Sequence, residues 1–269
     1  MERMYRVSMN TIVGLVAVVF LLPVAYMIAL SFKTEGVPFI DGGALHVSLV
    51  NYHKVLSEAP IFHWMWNSLL VAVIQTFIIV LVDSLAAFAI SRIKFPGSKW
   101  LFLLFLMGLM IPAEATLIPI FLMMRDWGLL NTLYSLILPG IASPFGIFVL
   151  KQFFDGLPNE LEEAARMDGA GYWRIWSSIF IPLSRPAFAA LAIYSFLAAW
   201  NDFLWPLISI SNRTYMTITL GLPNFQSSYM QQYSLPMTAN TLAAIPLIIV
   251  FIFFQKQIIK GIAFTGGKE

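Results

Sequence analysis

The amino-acid sequence predicts an all-α membrane protein with six transmembrane helices. Of its 269 residues, 59% are apolar and only 11% are charged, and the mean hydropathy is +0.80. Such a composition leaves too little polar surface for a soluble globule. Apolar runs of roughly 20 residues, long enough to cross about 30 Å of hydrocarbon, recur along the chain. The absence of cysteine excludes disulfides and thiolate metal sites, and no metal centre is expected.

The predicted spans lie at 11–32, 67–90, 100–124, 133–154, 186–210 and 239–259. The first run is longer than the roughly 7 to 15 apolar residues of a cleaved signal peptide, so a retained signal-anchor helix is favoured over cleavage. Prolines should kink several spans, because proline removes a helical hydrogen bond. These prolines are Pro112, Pro119, Pro139, Pro144 and Pro246.

Basic residues indicate the orientation of the spans, because lysine and arginine concentrate in cytoplasmic loops. Twelve fall on one side: Arg3, Arg6, Arg92, Lys94, Lys99, Lys151, Arg166, Arg174, Arg185, Lys256, Lys260 and Lys268. Four fall on the other: Lys33, Lys54, Arg125 and Arg213. This asymmetry predicts that both termini and the interval 155–185 are cytoplasmic, and that loops 33–66 and 211–238 are extracytoplasmic.

The interval 155–185 predicts two short helices joined by a tight turn. The first runs from Asn159, a suitable N-cap, to Asp168, and Gly169 supplies a left-handed stop. Its first turn carries the acidic residues that the helix dipole favours, namely Glu160, Glu162 and Glu163. One face is shallow enough for another surface to dock, and consists of Leu161, Ala164, Ala165 and Asp168.

A second helix begins at the aromatic run Tyr172–Trp176 and should end at Pro182 and Pro186. The plainer alternative is that the whole interval is only an amphipathic connection at the membrane surface.

The same interval resembles the EAA loop of permease subunits of binding-protein-dependent ABC importers. The resemblance is carried by Glu163-Ala164-Ala165, by Gly169, and by Ile179-Phe180-Ile181-Pro182 at the family's spacing. Further motifs look like the carbohydrate-importing branch: Asn67-Ser68, Phe95-Pro96-Gly97, Ile111-Pro112, Leu138-Pro139 and Trp200-Asn201-Asp202-Phe203. The resemblance implies a type I ABC importer permease fold, with one domain over 1–269 and a core at 67–263.

For this chain, the resemblance implies several partners in a bacterial plasma or inner membrane. These are a second, homologous permease, two cytoplasmic ATPase subunits and an extracytoplasmic solute-binding protein. The residues expected to couple to the ATPases are Glu163, Ala164, Ala165, Arg166, Asp168 and Gly169. The chain contains no G-x-x-x-x-G-K-[ST] phosphate loop, so ATP and Mg²⁺ are expected to bind the ATPases, and the chain itself to have no catalytic site or cofactor.

A polar and aromatic group in the fifth span is a candidate for the substrate pathway, since a sugar offers an apolar ring face and hydroxyls. Its members are Trp200, Asn201, Asp202 and Trp205. The alternative is that the tryptophans pack between helices or anchor the outer interface, while Asn201 and Asp202 hold neighbouring carbonyls. Two other acidic residues in the spans, Asp83 and Glu114, are expected to pair with protein groups rather than with substrate.

Two terminal and loop segments are candidate contact surfaces. The loop 211–238 is suited to contact a binding protein through Arg213, Tyr215, Gln226, Tyr229, Gln231, Gln232 and Tyr233, or else is an ordinary solvated loop. The tail Ile262–Glu269 either contacts the ATPases or frays.

The predicted function is therefore import of a sugar or oligosaccharide, driven by partner ATPases. One alternative is an ABC permease for a non-sugar solute such as a glycerol phosphate ester. A secondary transporter is a weaker alternative, because the spans contain few ionisable residues and no evident internal repeat. A membrane enzyme is not favoured, since neither H-E-x-x-H nor G-x-S-x-G occurs.

Overall fold

The computed structural model describes residues 2–34, 40–41, 44–93, 95–225 and 233–266, most of them in helices. The elements are α1 (Glu2–Ser31), the two-residue antiparallel strands β1 (Ile40–Asp41) and β2 (Ala44–Leu45), α2 (Val50–Glu58), α3 (Ile61–Phe88), α4 (Ser98–Gly108), α5 (Ala113–Asp126), α6 (Leu133–Ile137), α7 (Pro144–Asp155), α8 (Glu160–Met167), α9 (Tyr172–Ile175), α10 (Ile181–Leu183), α11 (Arg185–Asn201), α12 (Leu204–Ser209), α13 (Ile218–Gly221) and α14 (Ser234–Gly266). Turns of π-helix occupy Ala89–Ile93 and Trp176–Phe180, and short 3-10 turns occupy Leu138–Gly140, Arg213–Tyr215 and Leu222–Phe225.

Three helical stretches are long and apolar enough to cross a membrane, namely Met9–Ser31, Ile61–Ile93 and Ser234–Gln255. Three bent helix pairs raise the number in the described ranges to as many as six, if each pair is one span. The most apolar window of Met9–Ser31 has none of its residues buried within the chain, so this helix presents its apolar side chains outward. Pro246 lies inside α14 without ending it.

The predicted span at 100–124 is sharply bent, because α4 and α5 meet at an angle of 99° next to Pro112, where a kink was expected. Pro112 has an extended backbone, with φ −64° and ψ 137°, and occupies the N-cap position of α5. Its ring forbids the continuation of α4, whereas Pro119 is tolerated inside α5.

The predicted span at 133–154 is also bent, by 43° between Leu133–Gly140 and Pro144–Asp155. Pro144 opens α7, where a missing N–H is harmless, and the Ser143 hydroxyl accepts a 3.4 Å hydrogen bond from the Gly146 N–H. The expected kinks at Pro139 and Pro144 are confirmed, since both residues flank this bend.

The predicted fifth span, 186–210, is interrupted because α11 ends at Asn201 and the short α12 begins at Leu204. Asp202 is extended, with ψ 127°, and its carboxylate accepts a 3.4 Å hydrogen bond from the Trp205 N–H. This carboxylate therefore caps the start of α12 and helps to separate the two helices. At the other end of α11, an 81° bend at Ser184 separates it from Tyr172–Leu183, and Pro186 lies in its first turn.

The described chain divides into two compact units. The first comprises Met1–Met65 and Ile218–Ile248. Within it, the carbonyl oxygen of Ser31 accepts hydrogen bonds from the Asn51 amide and the Thr238 hydroxyl, both at 3.0 Å. Because all three residues are buried, these bonds satisfy the end of α1 away from water.

The second unit comprises Trp66–Thr217 and Ile249–Glu269 and contains the main aromatic cluster. Phe180 packs edge to face against Phe88 at 5.1 Å and Phe154 at 5.3 Å between ring centroids. Such a pair contributes about 0.5–1.5 kcal/mol beyond its buried area. The cluster joins α3, α7 and the π-helical turn Trp176–Phe180, and so gives the 155–185 segment a rigid base.

Candidate functional sites

The first site is α8 and its closing turn, where the structure confirms the predicted short helix. Gly169 has φ +77°, a left-handed conformation that glycine adopts without a Cβ penalty. The Ala170 N–H donates to the Ala165 carbonyl at 2.9 Å, which closes the helix as in a Schellman motif. The chain can therefore reverse sharply into α9.

Asn159 does not cap α8 with its side chain as the sequence predicted. Although it occupies the N-cap position, its backbone is helical and its side chain forms no capping bond in the described structure. Its Oδ1 instead accepts a hydrogen bond from the Arg92 guanidinium. The hydrogen bond with Arg92, which is distant in sequence, therefore takes the place of the expected capping bond within α8.

The predicted docking face of α8 is mostly exposed. Glu163, Ala164 and Asp168 face outward, and Leu161 is 40% exposed. Ala165 differs from these residues, because it is half-buried and packs against the aromatic cluster below. The outer face is thus free to bind another surface, while the inner face holds the helix on its base.

Arg166 binds two other residues of the 155–185 segment. Its guanidinium pairs with the Glu162 carboxylate at 2.7 Å and lies 4.4 Å from the Tyr172 ring centroid. Tyr172 first, and then Glu162, raise the pKa of Arg166, so its charge is retained at any physiological pH. Arg166 connects α8 to α9, and sequence reasoning did not identify Glu162 or Tyr172 as its partners.

Arg92 is a residue whose role sequence reasoning missed. Its side chain is buried and donates hydrogen bonds to the carbonyls of Phe154 and Leu157 and to Asn159 Oδ1. Its guanidinium carbon also lies 4.9 Å from the Phe180 ring centroid. The available signal was a lone arginine at the end of a long apolar run, which the charge count used only for orientation.

The preceding residue, Ser91, contacts the same region. Its hydroxyl donates to Asp155 Oδ1 at 2.5 Å, and Lys151 pairs with Asp155 Oδ2 at 2.5 Å. Thus two consecutive residues of the π-helical turn bind the C-terminal end of α7.

At the second site, the four predicted pathway residues separate into two pairs. Trp200 and Trp205 are buried: Trp200 stacks on Phe196 at 5.9 Å, and the Trp205 indole N–H donates to the Ser135 carbonyl at 2.8 Å. Asn201 donates to the Leu197 carbonyl at 2.8 Å, and Asp202 caps α12. The packed tryptophans and the Asn201 bond match the alternative in which the group has a packing role, whereas Asp202 binds a backbone N–H instead of the expected carbonyl. Asn201, Asp202 and Trp205 also line a cavity.

That cavity has two adjoining parts of ≈ 460 and ≈ 520 Å³, here called the polar cavity, which share Gln75, Ala113, Gly140 and Asp202. Its other polar lining residues are Glu114, Thr116, Ser143, Tyr194, Ser195 and Asn201. Lysine and arginine are absent from its described lining, whereas Glu114 and Asp202 are acidic. Such a mixture suits a polar, hydroxyl-rich molecule.

The two other acidic residues of the spans behave differently. Asp83 is fully buried, and its Oδ1 accepts a 3.0 Å hydrogen bond from the Ser143 N–H, so it pairs with protein as expected. A Cβ at Gly146 would overlap Asp83 Oδ2, which shows how closely α3 approaches α7. Glu114 lines the polar cavity and forms no ion pair among the described residues, so its expected pairing with this chain or with the partner permease stays a prediction.

Parts of the candidate contact surfaces lie outside the described residues. These are Gln226, Tyr229, Gln231 and Gln232 of the loop 211–238, and Gly267–Glu269 of the tail. Lys94, one of the basic residues used for orientation, also lies outside the described residues.

Comparisons with known proteins agree with this fold. The family model described as "Binding-protein-dependent transport system inner membrane component" matches residues 84–264. The arabinooligosaccharides transport system permease protein of Halalkalibacterium halodurans is 33% identical over 94% of this chain and 93% of its own length. The diacetylchitobiose uptake system permease protein of Streptomyces coelicolor is 31% identical over 96% of this chain and 87% of its own length.

A solved structure has the same fold. It is the crystal structure of a bacterial ABC transporter involved in the import of the acidic polysaccharide alginate, and one of its chains superposes with a TM-score of 0.82. The match covers 96% of this chain and 97% of that chain at 21% identity, which shows the type I ABC importer permease fold.

Proposed function

We propose that this chain, which belongs to the binding-protein-dependent transport system inner membrane component family, is the permease subunit that imports a sugar or oligosaccharide in an ATP-driven ABC importer. The chain is a multi-pass membrane protein of a transport family rather than a catalyst. The carbohydrate substrate is favoured by the names of its permease relatives and by the hydroxyl-binding character of the polar cavity.

The observation that carries the proposal is the construction of the 155–185 segment. Glu163 and Ala164 lie on the exposed side of α8, while Ala165 and the aromatic cluster hold its other side. A short helix that is rigidly based and small on its outer face can dock in a groove and transmit force without bending. This arrangement supports docking of α8 on a cytoplasmic ATPase, with Glu163 available for a charge-assisted hydrogen bond.

The other subunits of the proposed importer are partner chains. A second, homologous permease completes the pathway, two cytoplasmic ATPase subunits bind ATP and Mg²⁺, and an extracytoplasmic binding protein delivers the solute. Closure of the ATPase pair on ATP moves α8 and, through the helices attached to it, opens the pathway to the other side.

The polar cavity is the part of the pathway that this chain contributes. Glu114 and Asp202 give it a negative character, and an anionic solute would be repelled there. An uncharged sugar is therefore favoured over the alternative glycerol phosphate ester. Asn201 and Asp202 are the predicted pathway residues positioned to contact it. Trp205 also lines the cavity, but its indole N–H is bonded to the Ser135 carbonyl, and Trp200 is buried and is not among the described lining residues.

Copurification and reconstitution test this function. The chain should copurify with an ATPase and a second permease, and vesicles containing the complex should accumulate a neutral oligosaccharide only with ATP and binding protein. Uptake by the isolated chain without ATP would contradict the proposal and favour a secondary transporter. Preferential uptake of a glycerol phosphate ester would instead support the alternative solute.

A further inference from the structure

We propose that Arg92 is a positioning residue that joins the 155–185 segment to α3, so that α3, α7 and α8 move as one body during transport. The inference rests on the proposed docking of α8 to an ATPase. It adds a physical route from that docking surface to the polar cavity.

Arg92 binds acceptors from three successive parts of the chain. Its terminal nitrogens donate to the carbonyls of Phe154 and Leu157 and to the side-chain oxygen of Asn159. These acceptors come from the last turn of α7, the following loop and the residue that precedes α8. One planar guanidinium with fixed donor directions therefore holds together three successive parts of the chain.

Burial of the Arg92 guanidinium away from water has a cost in free energy. Arg92 is only 7% exposed, and within the described ranges it forms no ion pair with a carboxylate. Its Nε is buried without a hydrogen-bond partner among the described residues. Replacement of buried charged groups by apolar side chains of similar volume is often neutral or stabilising, so burial of Arg92 is by itself weak evidence for a stabilising role. The proposal therefore rests on the geometry by which Arg92 connects these segments.

Hydrogen bonds join α3 to α7 near both ends of α7. Near the start of α7, Asp83 Oδ1 accepts from the Ser143 N–H at 3.0 Å. At its end, Ser91 donates to Asp155 and Arg92 donates to the Phe154 carbonyl. Two helices that are bonded at both ends cannot tilt or slide independently without breaking these bonds.

The joined pair reaches the polar cavity. Gln75 of α3 and Ser143, which precedes α7, both line it. A displacement of α8 is thus transmitted through Arg92 to α3 and α7, and from them to side chains that line the cavity. Little of this displacement is lost between the helices, because packed protein interiors resist compression.

The chain contains no cysteine, so two introduced cysteines carry the only spin labels when the chain is labelled before the ATPases are added. Met167→Cys on α8 and Val73→Cys on α3 are suitable because both side chains are exposed, Met167 by 88% and Val73 by 51%. Distances between the labels are measured by pulsed electron paramagnetic resonance in lipid nanodiscs. They are recorded first for the chain alone and then for the complex with its ATPases, with and without ATP and Mg²⁺.

With Arg92 present, we expect one narrow distance distribution that ATP leaves unchanged. Arg92→Gln should broaden the distribution at least twofold, and in the complex ATP should shift it. Arg92→Lys should give a distance distribution of intermediate width, since the lysine ammonium keeps the charge but cannot reproduce the fixed donor directions of the guanidinium. Arg125→Gln is the matched control, because Arg125 is exposed on α5 and, among the described residues, its side chain pairs only with its exposed neighbour Asp126.

Equal widths in the Arg92→Gln variant and the wild type would overturn the proposal, as would loss of the folded chain in both Arg92 variants, which would assign Arg92 to folding. The number of solute molecules imported per ATP hydrolysed gives a second readout and should fall about tenfold in Arg92→Gln. Failure of the wild-type chain to bind an ATPase would instead contradict the proposed function, while the distance widths of the chain alone would still decide the role of Arg92.

Discussion

The 155–185 segment and the polar cavity differ in how far along the chain their residues are drawn from. In the segment, Arg166 pairs with Glu162 four residues away, and Gly169 closes the helix that immediately precedes it. In the cavity, Gln75, Glu114 and Asp202 come from α3, α5 and the end of α11. A site built from neighbouring residues leaves a motif in the sequence, whereas a site assembled by folding leaves only isolated polar residues.

The largest effect is expected from breaking the local geometry of the segment with Gly169→Pro. Proline holds φ near −65°, while Gly169 has φ +77°, so the turn after α8 must be rebuilt at a cost of about 3 kcal/mol or more. If this cost falls on docking, ATPase binding should weaken about 100-fold. Copurified ATPase per inserted permease measures it.

Gly171→Ala is the control for this prediction. Gly171 has φ −76°, and an added Cβ would meet no heavy atom within 4 Å. Normal ATPase binding by Gly169→Pro, or equal losses from the two variants, would contradict the coupling role of the turn.

A smaller loss is expected when the docking face itself is changed by Glu163→Lys. Reversal of an exposed charge that forms a charge-assisted hydrogen bond with the ATPase should cost about 1.5–3 kcal/mol, or at least tenfold in binding. The affinity of the ATPase for the reconstituted permease is the measurement. Glu160→Lys controls for the helix dipole, because Glu160 is also exposed in the first turn of α8. Equal effects of the two reversals would show that no specific contact is made by Glu163.

In the polar cavity, Asn201→Ala with Asp202→Ala should lower solute uptake about tenfold, the scale of one lost polar contact at about 1.4 kcal/mol. ATPase assembly should survive, because these residues line the polar cavity and do not belong to the exposed face of α8. Unchanged uptake would favour a purely structural role for both residues.

The single variants Asp202→Asn and Asp202→Ala sharpen this test. Asparagine retains an oxygen that can cap α12 through the Trp205 N–H, but it removes the negative charge. If the carboxylate only caps α12, Asp202→Asn should transport normally and Asp202→Ala should not. If its charge acts on the solute, both variants should be impaired, and Asp202→Asn should also admit anionic solutes more readily.

The smallest effect on transport is expected from Trp205→Phe, which tests the wall of the cavity. The change removes the N–H that donates to the buried Ser135 carbonyl and should cost roughly 1–3 kcal/mol of stability. Thermal unfolding of the purified permease should shift to lower temperature while uptake at low temperature stays near the wild-type level. A large loss of uptake with unchanged thermal stability would give Trp205 a direct contact with the solute.

Sequence reasoning succeeded for features built from neighbouring residues and failed for features assembled by folding. The left-handed Gly169, the acidic first turn of α8 and the kinks at Pro139 and Pro144 were predictable, because each depends on the backbone chemistry of a few adjacent residues. The break after Asn201 was missed, since an apolar run has no periodic signal where it bends and Asp202 was considered for its charge rather than for capping.

By itself, the sequence determined that this chain is a membrane-spanning helical protein and where the short helix α8 lies, because hydropathy, glycine and charge act locally along the chain. Only the tertiary structure decided that Asn159 binds Arg92 instead of capping α8, that Trp200 and Trp205 are buried, and that Glu114 and Asp202 share a cavity. Those outcomes depend on which distant helices pack together, and a buried polar group takes the partner that packing brings within reach.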